Sequence, residues 1–492
     1  MTLGELLRGA DVLEYHADPD TPVNCPRYDS RQVGPKDVFV AMPGFEQDGR
    51  KFIPGAMAAG AAACVAEAAP EQGGVPYVLV ASARKALAAM SVNYFGDPAA
   101  AMQLVAVTGT NGKTTVTYLM QHVISQVLGA GAGVVGTLGG VAGDVYFPSD
   151  RTTPESFELQ KMLRGMADAG CGYVAMEASS HALELHRLDG IRFRAGIFTN
   201  LTRDHLDFHK TMENYLHAKS LLFGVSELGI INAGDPACGY LTEHASCPVV
   251  TYAAEGRGAD YRAADIVLAS DSVSYTALTP RGEAAVRVGI PGHFTVENSM
   301  AVLACCCEMG MDLEKVAAAL GTARGVPGRM EVVPGAKDFT VIIDYAHTPD
   351  ALENVLTAAR KTTKGRVCVL FGCGGDRDRT KRPIMGELGV RLADFAYITS
   401  DNPRTEVPQA IIDDILAGVP RGTEGKYTVI CDRREAIRKA VCGALPGDVL
   451  ILAGKGHETY QIIGKEKTHL DEREEVAAAL MLRYGNGKDT SF

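Results

Sequence analysis

Short apolar runs separated by turn and helix signals recur along the whole chain. Up to about residue 100 they are brief, as in DVFVAM and PYVLVAS, and Ser82–Tyr94 has a helical pattern with Ser82 as a plausible N-cap. From residue 101 the runs are four to six residues long and end in glycine-rich or polar loops, as in QLVAVTGTNGKTT and AGIFTNLTRDH. Buried parallel strands have this pattern, with functional groups at their carboxyl ends.

Two further regions complete the predicted architecture. Residues near 248–291 are richer in β-branched residues and turns, which predicts an antiparallel insertion. A third series of apolar runs begins near Val332 and alternates with helical patterns, which predicts a second doubly wound unit. We expect an α/β fold of three domains, with a hinge at Gly325–Arg329. The expected domains are a small α/β domain over 1–100, a central domain with a mostly parallel sheet over 101–330, and a C-terminal Rossmann-like domain over 331–492.

Composition narrows the functional class. The chain has 492 residues, 46% of them hydrophobic, as in a globular protein. Its net charge of −11, without a basic stretch, disfavours a nucleic-acid or membrane-surface binder, although a local anion pocket stays possible. No apolar stretch reaches the ~18 residues of a membrane span, and the first residues lack the pattern of a secretory leader. The 12 cysteines are scattered without zinc spacing, so we expect a cytoplasmic enzyme with reduced, mostly buried thiols.

The strongest local signal is VAVTGTNGKTT at residues 105–115, where a strand leads into a glycine-rich turn and then a helical pattern. Backbone N–H groups of such a turn, and the helix N-terminus behind it, bind anions. We expect Lys113 to contact the β/γ-phosphates of ATP and the Thr114 hydroxyl to bind Mg²⁺. Gly109 lies three residues before Gly112, so the loop is shorter than a standard Walker A. The predicted ATP loop comprises Gly109, Thr110, Asn111, Gly112, Lys113, Thr114 and Thr115.

The short loop GTNGKTT resembles that of the Mur ligases and folylpolyglutamate synthetases, which use ATP to join a carboxylate to an amine. Residues 29–44, DSRQVGPKDVFVAMPG, resemble the uridine-nucleotide domain of the Mur ligase that adds the third amino acid, which disfavours a folylpolyglutamate synthetase. The resemblance implies UDP-MurNAc-L-Ala-D-Glu as a substrate. Its implied contacts are Ser30, Thr152, Thr153, Ser179 and Arg187.

Three residues of the central region carry the predicted metal chemistry. Glu177 and His205 each follow an apolar run, and either one alone is more often a hydrogen-bonded structural group. Lys219 lies in a helical pattern and, by spacing alone, is a solvated surface lysine. The resemblance implies instead that Lys219 is carbamylated to N6-carboxylysine and serves a second Mg²⁺ with His205, while Thr114 and Glu177 serve the first. The implied catalytic residues are Lys113, Glu177, His205 and Lys219.

The C-terminal region supplies the remaining implied contacts. The resemblance adds Asn298, Arg329, Asp344 and His347 to the ATP site. The motif Asp401-Asn402-Pro403-Arg404 resembles the form that selects meso-diaminopimelate, which is lysine with a further carboxylate at its far end. A planar guanidinium can bind that carboxylate through two parallel hydrogen bonds. The implied diaminopimelate contacts are Arg377, Asp401, Asn402, Arg404, Gly454 and Glu458.

The resemblance thus implies an ATP-dependent amide ligase of peptidoglycan precursor synthesis. It would add meso-diaminopimelate to the γ-carboxylate of D-glutamate through an acyl phosphate and release ADP and phosphate. An L-lysine-adding ligase of the same family, or a regulatory P-loop NTPase from a different class, are the alternatives. We expect a monomer with small-molecule substrates, two Mg²⁺ ions, no nucleic-acid partner and no membrane insertion.

Overall fold

The structure is a computed structural model that describes residues 1–44, 48–256, 258–323 and 325–485. The chain forms two compact units, one comprising Met1–Arg262 with Met300–Asp312 and the other Ala263–Ser299 with Leu313–Phe492. The predicted domain boundaries near residues 100 and 330 stay a prediction. Within the described ranges no helix is both long and apolar enough to cross a membrane. Within the described ranges none of the twelve cysteines is in a disulfide, and eight are buried, in agreement with the expected mostly buried thiols.

The first unit begins with a five-stranded sheet in the order β1-β5-β4-β3-β2. Strands β2 to β5 are parallel, and β1 pairs antiparallel with β5. The predicted helix at 82–94 is confirmed, because α3 starts after Ser82, whose hydroxyl accepts a hydrogen bond from the Lys85 backbone N–H. The elements are α1 (Leu3–Leu6), β1 (Val12–His16), β2 (Pro26–Arg27), β3 (Val38–Val40), α2 (Ile53–Ala58), β4 (Ala63–Ala66), β5 (Tyr77–Val80) and α3 (Ala83–Phe95), with 3₁₀ turns at Ser30–Gln32, Gly49–Phe52 and Pro98–Ala101.

The same unit continues into a larger sheet that carries the phosphate loop, and of its last strand, β14, only Tyr261 and Arg262 belong to this unit. The elements are β6 (Gln103–Thr108), α4 (Lys113–Leu128), β7 (Gly131–Gly136), β8 (Gly139–Ala142), β9 (Val145–Phe147), α5 (Ser156–Asp168), β10 (Cys171–Glu177), α6 (Ser180–Glu184), β11 (Ala195–Phe198), α7 (Leu206–His209), α8 (Met212–Ser220), a 3₁₀ turn (Leu221–Gly224), β12 (Gly229–Asn232), α9 (Cys238–His244), β13 (Val249–Ala253) and β14 (Tyr261–Leu268). Strands β13, β12, β11, β6, β10 and β7 are neighbours in that order and parallel, and β8 and β9 extend the edge antiparallel.

Register places the carboxyl ends of three central strands side by side. Glu177 at the end of β10 is opposite Val107 of β6, and Phe198 at the end of β11 is opposite Thr108. The phosphate loop follows β6 directly, so it lies at the same edge of the sheet as Glu177 and the segment after β11. The apolar strands are buried around side chains such as Leu104, Met176 and Phe193, which fixes this edge.

The prediction of an antiparallel insertion over 248–291 is partly wrong. Strand β13 pairs parallel with β12, and β14 pairs parallel with β13 at Tyr261 and Arg262. Only the later hairpin, which belongs to the second unit, is antiparallel. Richness in β-branched residues indicates strand but does not distinguish the two orientations. The hairpin and the helices that follow are β15 (Val273–Thr279), β16 (Gly282–Val288), α10 (Phe294–Glu308) and α11 (Leu313–Thr322).

The predicted doubly wound sheet is confirmed in the second unit. Its order is β17-β18-β22-β19-β20-β21, with five parallel strands and an antiparallel edge strand β17. A separate hairpin, β23-β24, follows β22 in sequence. The elements are β17 (Glu331–Val333), β18 (Thr340–Asp344), α12 (Pro349–Thr362), β19 (Val367–Phe371), α13 (Lys381–Leu392), β20 (Phe395–Ile398), α14 (Pro408–Leu416), a 3₁₀ turn (Glu424–Lys426), β21 (Tyr427–Val429), α15 (Arg433–Gly443), β22 (Val449–Ala453), β23 (Tyr460–Ile463), β24 (Glu466–His469) and α16 (Glu472–Gly485).

Candidate active site

The phosphate loop has the backbone that its glycines predict. Gly109 and Gly112 have φ of +146° and +86°, which L side chains rarely adopt. A Cβ at Gly109 would also collide with the Thr199 hydroxyl. Lys113 opens α4, and its Nζ donates to the carbonyls of Gly109 and Thr110 at 3.0 and 2.8 Å. The loop therefore holds a lysine ammonium beside a helix N-terminus, which suits a phosphate group.

Asn200 forms hydrogen bonds that stabilise this loop. The sequence did not single it out. Its backbone carbonyl accepts from the Thr110 N–H at 2.8 Å, and its Oδ1 accepts from the Asn111 N–H at 2.9 Å. The available signal was its position two residues after β11, the strand that lies beside β6. Asn200 thus sets the loop geometry from a neighbouring strand.

Glu177 connects the end of β10 to the segment predicted to hold the peptide substrate. It is 1% exposed, and its two carboxylate oxygens accept from the backbone N–H and the hydroxyl of Thr137 at 2.9 and 3.3 Å. The Thr137 hydroxyl lies 3.1 Å from that of Thr152. The Thr153 hydroxyl donates to the Glu177 carbonyl at 2.8 Å. Thr137 is a further residue that the sequence did not single out.

Thr153, Ser179 and Arg187 meet in one cluster. The Ser179 N–H donates to the Thr153 hydroxyl at 3.1 Å, and Arg187 Nη1 donates to the Thr153 carbonyl at 3.0 Å. Arg187 also pairs with the buried carboxylate of Glu155 at 3.0 Å, and burial lowers the pKa of its guanidinium. Ser30 begins a 3₁₀ turn in the N-terminal part of this unit, and in the described chain no hydrogen bond joins it to the cluster. Four of the five predicted contacts, all but Ser30, are therefore close together. Thr152 is linked to the other three indirectly, because its hydroxyl lies beside that of Thr137.

Lys219 is buried, so its interpretation as a solvated surface lysine is wrong. The residue is 1% exposed, and its Nζ lies 4.3 Å from the centre of the Tyr215 ring. Burial holds the pKa of the amine well below its ordinary value, and the charge of Lys113 lowers it further. The Tyr215 hydroxyl lies 3.3 Å from that of Thr110, so the ring beside this amine contacts the phosphate loop.

His205 occupies a strained position near the same ring. Its φ is +52°, its side chain is 47% exposed, and its Nε2 lies 3.5 Å from Asp204 Oδ2. The imidazole centre is 6.1 Å from that of Tyr215. Among the described residues no three His, Cys, Asp or Glu side chains are grouped closely enough to hold a metal ion. The predicted ligand set also includes a hydroxyl and a lysine carbamate, so it stays a prediction.

In the second unit, three of the four remaining ATP candidates surround Tyr345. The Arg329 guanidinium lies 5.2 Å from the Tyr345 ring centre, and the imidazole of His347 lies 4.6 Å from it. Asp344 accepts hydrogen bonds from the N–H groups of Met330 and Ala346 at 2.7 and 2.8 Å, and burial raises the pKa of its carboxyl. Arg329 Nε is buried without a hydrogen-bond partner within the described ranges. The fourth candidate, Asn298, is buried in α10.

The predicted amino-acid contacts of the second unit lie at the ends of β20 and β22. Asn402 Nδ2 donates to Glu458 Oε2 at 2.8 Å. Lys455, which is fully buried and was not predicted, donates to Asn402 Oδ1 and Glu458 Oε2 at 3.1 and 3.0 Å. Gly454 has φ of +117°, and a Cβ there would lie 2.6 Å from Asp401 Oδ2. Glycine is therefore required next to the Asp401 carboxylate.

Two arginines flank this group. Arg404 has φ of +50°, and its Nη1 donates to the Gly375 carbonyl at 2.8 Å. Arg377 Nη1 donates to the Asp376 carbonyl at 3.1 Å. A Cβ at Gly374 would lie 3.0 Å from Arg404 Nη1 and 3.8 Å from Arg377 Cγ, so both side chains reach the same glycine. Within the described chain Arg404 forms no ion pair, which leaves its charge available to an anionic ligand.

Comparison with known proteins identifies the family. The domain profiles described as "Mur ligase family, catalytic domain", "Mur ligase middle domain" and "Mur ligase, glutamate ligase domain" match residues 23–95, 107–306 and 328–456. A protein of Clostridioides difficile (strain 630), described as UDP-N-acetylmuramoyl-L-alanyl-D-glutamate–2,6-diaminopimelate ligase, is 42% identical over 96% of this chain and 98% of its own length. The chain belongs to the Mur ligase family.

Other Mur ligases extend the comparison. A protein of Gloeobacter violaceus with the same description is 45% identical over 99% of both chains. A solved structure of a UDP-N-acetylmuramoyl-L-alanyl-D-glutamate–2,6-diaminopimelate ligase has a TM-score of 0.75 and 32% identity, covering 98% of this chain and 99% of that one. A Mur ligase of Thermotoga maritima, solved with ADP, has a TM-score of 0.57, 18% identity and coverage of 95% and 99%, which shows the fold alone. The predicted three-domain α/β fold is confirmed as that of the Mur ligases.

Proposed function

We propose that this Mur ligase adds meso-2,6-diaminopimelate to the γ-carboxylate of D-glutamate in UDP-MurNAc-L-Ala-D-Glu at the expense of ATP. The observation that carries the choice of amino acid is the Arg404 guanidinium, which has no carboxylate partner within the described chain and stands two residues from Asn402. The curated relatives reported above are described as ligases of this same amino acid. The reaction serves peptidoglycan precursor synthesis.

The chemistry proceeds in two steps. The γ-carboxylate attacks the γ-phosphorus of ATP, which breaks the bond to the β-phosphate oxygen and yields an acyl phosphate and ADP. The amine of diaminopimelate then attacks the acyl carbon, loses a proton as the amide forms, and expels phosphate. Phosphorylation is needed because a carboxylate oxygen is a poor leaving group. We assign Lys113 and the N–H groups of the loop to the β/γ-phosphates, where fixed positive charge stabilises the transferring group.

The substrate peptide would be held by the cluster of Thr153, Ser179 and Arg187, with Thr152 beside it. Arg187 pairs with Glu155, but its Nε has no hydrogen-bond partner in the described ranges and would donate to a carboxylate of the peptide; Thr153 and Ser179 are already fixed by hydrogen bonds. Glu177 joins this cluster to the edge of the sheet that carries the phosphate loop. The γ-carboxylate and the γ-phosphate would therefore meet at one edge, as in-line transfer requires.

Lys219 fits the proposed carbamate for a chemical reason. Its lowered pKa favours the neutral amine, which can attack CO₂ and release a proton to give an anionic carbamate. The carbamate oxygens, the Glu177 carboxylate and the Thr114 hydroxyl are the hard donors that Mg²⁺ prefers, with His205 completing the proposed set. Two Mg²⁺ ions there would neutralise charge on the phosphoryl group. We infer a monomeric enzyme of the cytoplasm with small-molecule substrates.

The experiment that tests the function is phosphate release with ATP, Mg²⁺ and UDP-MurNAc-L-Ala-D-Glu, with either meso-diaminopimelate or L-lysine as acceptor. Release with diaminopimelate alone is the expected result. Release with lysine alone would keep the ligase and overturn the choice of amino acid. Hydrolysis that needs neither the peptide nor an acceptor would favour a regulatory NTPase.

Arg404→Ala tests the selectivity directly. We expect it to raise KM for diaminopimelate about 100-fold, since each lost charge-assisted hydrogen bond costs about 1.5–3 kcal/mol. KM for ATP should change less than about twofold. The matched control is Arg391→Ala, because Arg391 is an exposed arginine of the same unit that pairs only with Glu387 within the described chain. Equal effects on both KM values would contradict this role for Arg404.

A further inference from the structure

Four arginines lie in or beside the loops of the amino-acid pocket. Two of them form ion pairs with acidic residues, and the other two do not within the described ranges. Glu406 accepts from Arg382 Nη2 and Nη1 at 2.7 and 3.0 Å, and Asp414 accepts from Arg382 Nη1 at 2.8 Å. Arg379 lies 3.2 Å from Glu406 and 3.6 Å from Asp414. These two arginines, Arg382 buried and Arg379 exposed, are therefore neutralised by acidic side chains of the protein itself. The Arg382 guanidinium also lowers the pKa of Glu406 to about 2, so the carboxylate stays charged.

The other two arginines have no acidic partner in the described part of the chain. The Arg377 guanidinium donates to the carbonyl of Asp376, and the Arg404 guanidinium donates to the carbonyl of Gly375. The same loops thus hold two paired and two unpaired guanidinium groups. A carboxylate ligand that enters here would be directed to Arg377 and Arg404. Glu406 determines this choice, because it neutralises the other two arginines.

A set of hydrogen bonds joins the loop after β19 to the loop after β20. The Thr405 hydroxyl and N–H donate to the two carboxylate oxygens of Asp376 at 2.6 and 3.2 Å. The Asp376 N–H donates to Glu406 Oε1 at 2.7 Å. On the other side of Arg404, the Gly375 N–H donates to the Asn402 carbonyl at 2.9 Å. The two loops are therefore joined on both sides of Arg404, by side-chain hydrogen bonds at Thr405 and Glu406 and by a backbone hydrogen bond at Asn402.

This junction holds backbone that is unfavourable by itself. Arg404 has φ of +50°, a region that L residues other than Asn and Asp seldom occupy, and Asp376 has φ of +54°, which an aspartate tolerates. Arg404 is fixed further by its N–H, which donates to Ile462, and by its carbonyl, which accepts from Gly464. The side chain of Arg404 ends on the Gly375 carbonyl, one residue from Asp376. The position of its guanidinium therefore depends on the position of the Gly375–Asp376 segment.

We infer that Asp376, Thr405 and Glu406 form a loop clasp that positions the Arg404 guanidinium and determines the specificity of the acceptor site for a distal carboxylate. The inference rests on the proposed function. Bidentate recognition depends on the orientation of a planar group, so a small displacement of the Gly375 carbonyl weakens it steeply. An acceptor that ends in an amine makes no such contact and gains nothing from the clasp.

The test compares Thr405→Val with Thr405→Ser. Valine removes the hydroxyl that donates to Asp376 and nearly keeps the volume, whereas serine keeps the hydroxyl. Thr405 is exposed and carries no substrate contact in the proposed mechanism. We expect Thr405→Val to raise KM for meso-diaminopimelate about tenfold, because one hydrogen bond to the charged carboxylate of Asp376 is lost. KM for ATP should stay within about twofold, and Thr405→Ser should resemble the wild type.

Glu406→Gln provides a second variant, and Glu387→Gln its matched control. Both substitutions neutralise a glutamate that pairs with an arginine, but Glu387 pairs with Arg391 at the surface. We expect Glu406→Gln to raise KM for diaminopimelate more than about tenfold and to reduce the preference over L-lysine, while Glu387→Gln changes neither.

The outcomes distinguish a failure of the loop clasp from a failure of the proposed ligase function. A wild-type enzyme without diaminopimelate-dependent phosphate release would overturn both. With that activity present, an unchanged KM in Thr405→Val and Glu406→Gln would overturn the clasp alone. Equal losses for every substrate, or a fall in kcat with no change in KM, would show a merely structural role and would also overturn it.

Discussion

The regions around Lys219 and Lys455 both bury a lysine, yet the two side chains meet opposite surroundings. Lys219 is 1% exposed and has an aromatic ring beside it, with no salt bridge in the described ranges. Lys455 is fully buried and donates to Asn402 and to the carboxylate of Glu458. The burial of Lys219 outweighs the charge of nearby Asp204 and is not fully compensated, whereas Lys455 is compensated by an acid and an amide.

This difference in surroundings predicts a reactive amine at Lys219 and a structural role for Lys455. An uncompensated lysine loses its proton readily because burial penalises the charged form, and a neutral amine is a nucleophile. A compensated lysine fixes the groups that it binds, because leaving either of them unpaired would be costly. We therefore assign Lys219 to the chemistry and Lys455 to the geometry of the amino-acid pocket.

The largest expected effect comes from Lys219→Ala. Loss of the proposed carbamate and of the metal that it would hold should lower kcat by roughly 10³-fold, because metal charge stabilisation contributes several kcal/mol. Short carboxylic acids should restore part of the activity by replacing the carbamate oxygens, as measured by phosphate release. Lys161→Ala, at an exposed helix position, serves as control and should stay active. A fully active Lys219→Ala enzyme would rule out the carbamate.

Lys455→Met should act mainly on stability and on one substrate. Removing one partner of a buried ion pair costs about 3 kcal/mol at the lower end of the usual range, since the Glu458 side chain is 15% exposed. Urea unfolding should show this loss, and KM for diaminopimelate should rise while that for ATP does not. Carboxylic acids should not rescue this variant. Rescue of Lys455→Met by carboxylic acids, or a loss of activity confined to kcat, would contradict the different roles proposed for the two lysines.

The smallest effect concerns pH. Between the lowered pKa of folded Lys219 and the ordinary value of 10.5, the unfolded chain holds a proton that the folded chain lacks. The free energy of unfolding should therefore rise with pH there, by up to about 1.4 kcal/mol per unit. Urea unfolding of CO₂-free wild type from pH 7 to 10, with Lys219→Met as reference, measures this slope. Identical slopes would indicate that the folded lysine keeps its proton.

Local patterns predicted much of this molecule correctly. The helix after Ser82, the strand and helix around the phosphate loop, and all five parallel strands of the second unit follow from short stretches of sequence. The partner strand of β13 did not follow, because pairing depends on residues distant in the chain. Asn200, Thr137 and Lys455 were missed for the same reason: each acts through a segment that only folding brings near.

The sequence by itself determined the nature of the chemical groups: a glycine-rich loop ending in Lys113, a carboxylate after β10, and an arginine in DNPR. Composition and periodicity set the fold class, since burial of apolar strands is a property of short segments. The tertiary structure alone decided that Lys219 is buried with no salt bridge in the described ranges, and that Glu406 pairs with Arg382 while Arg404 has no ion pair there. Protonation and charge pairing depend on the three-dimensional environment of a side chain, and no local pattern specifies that environment.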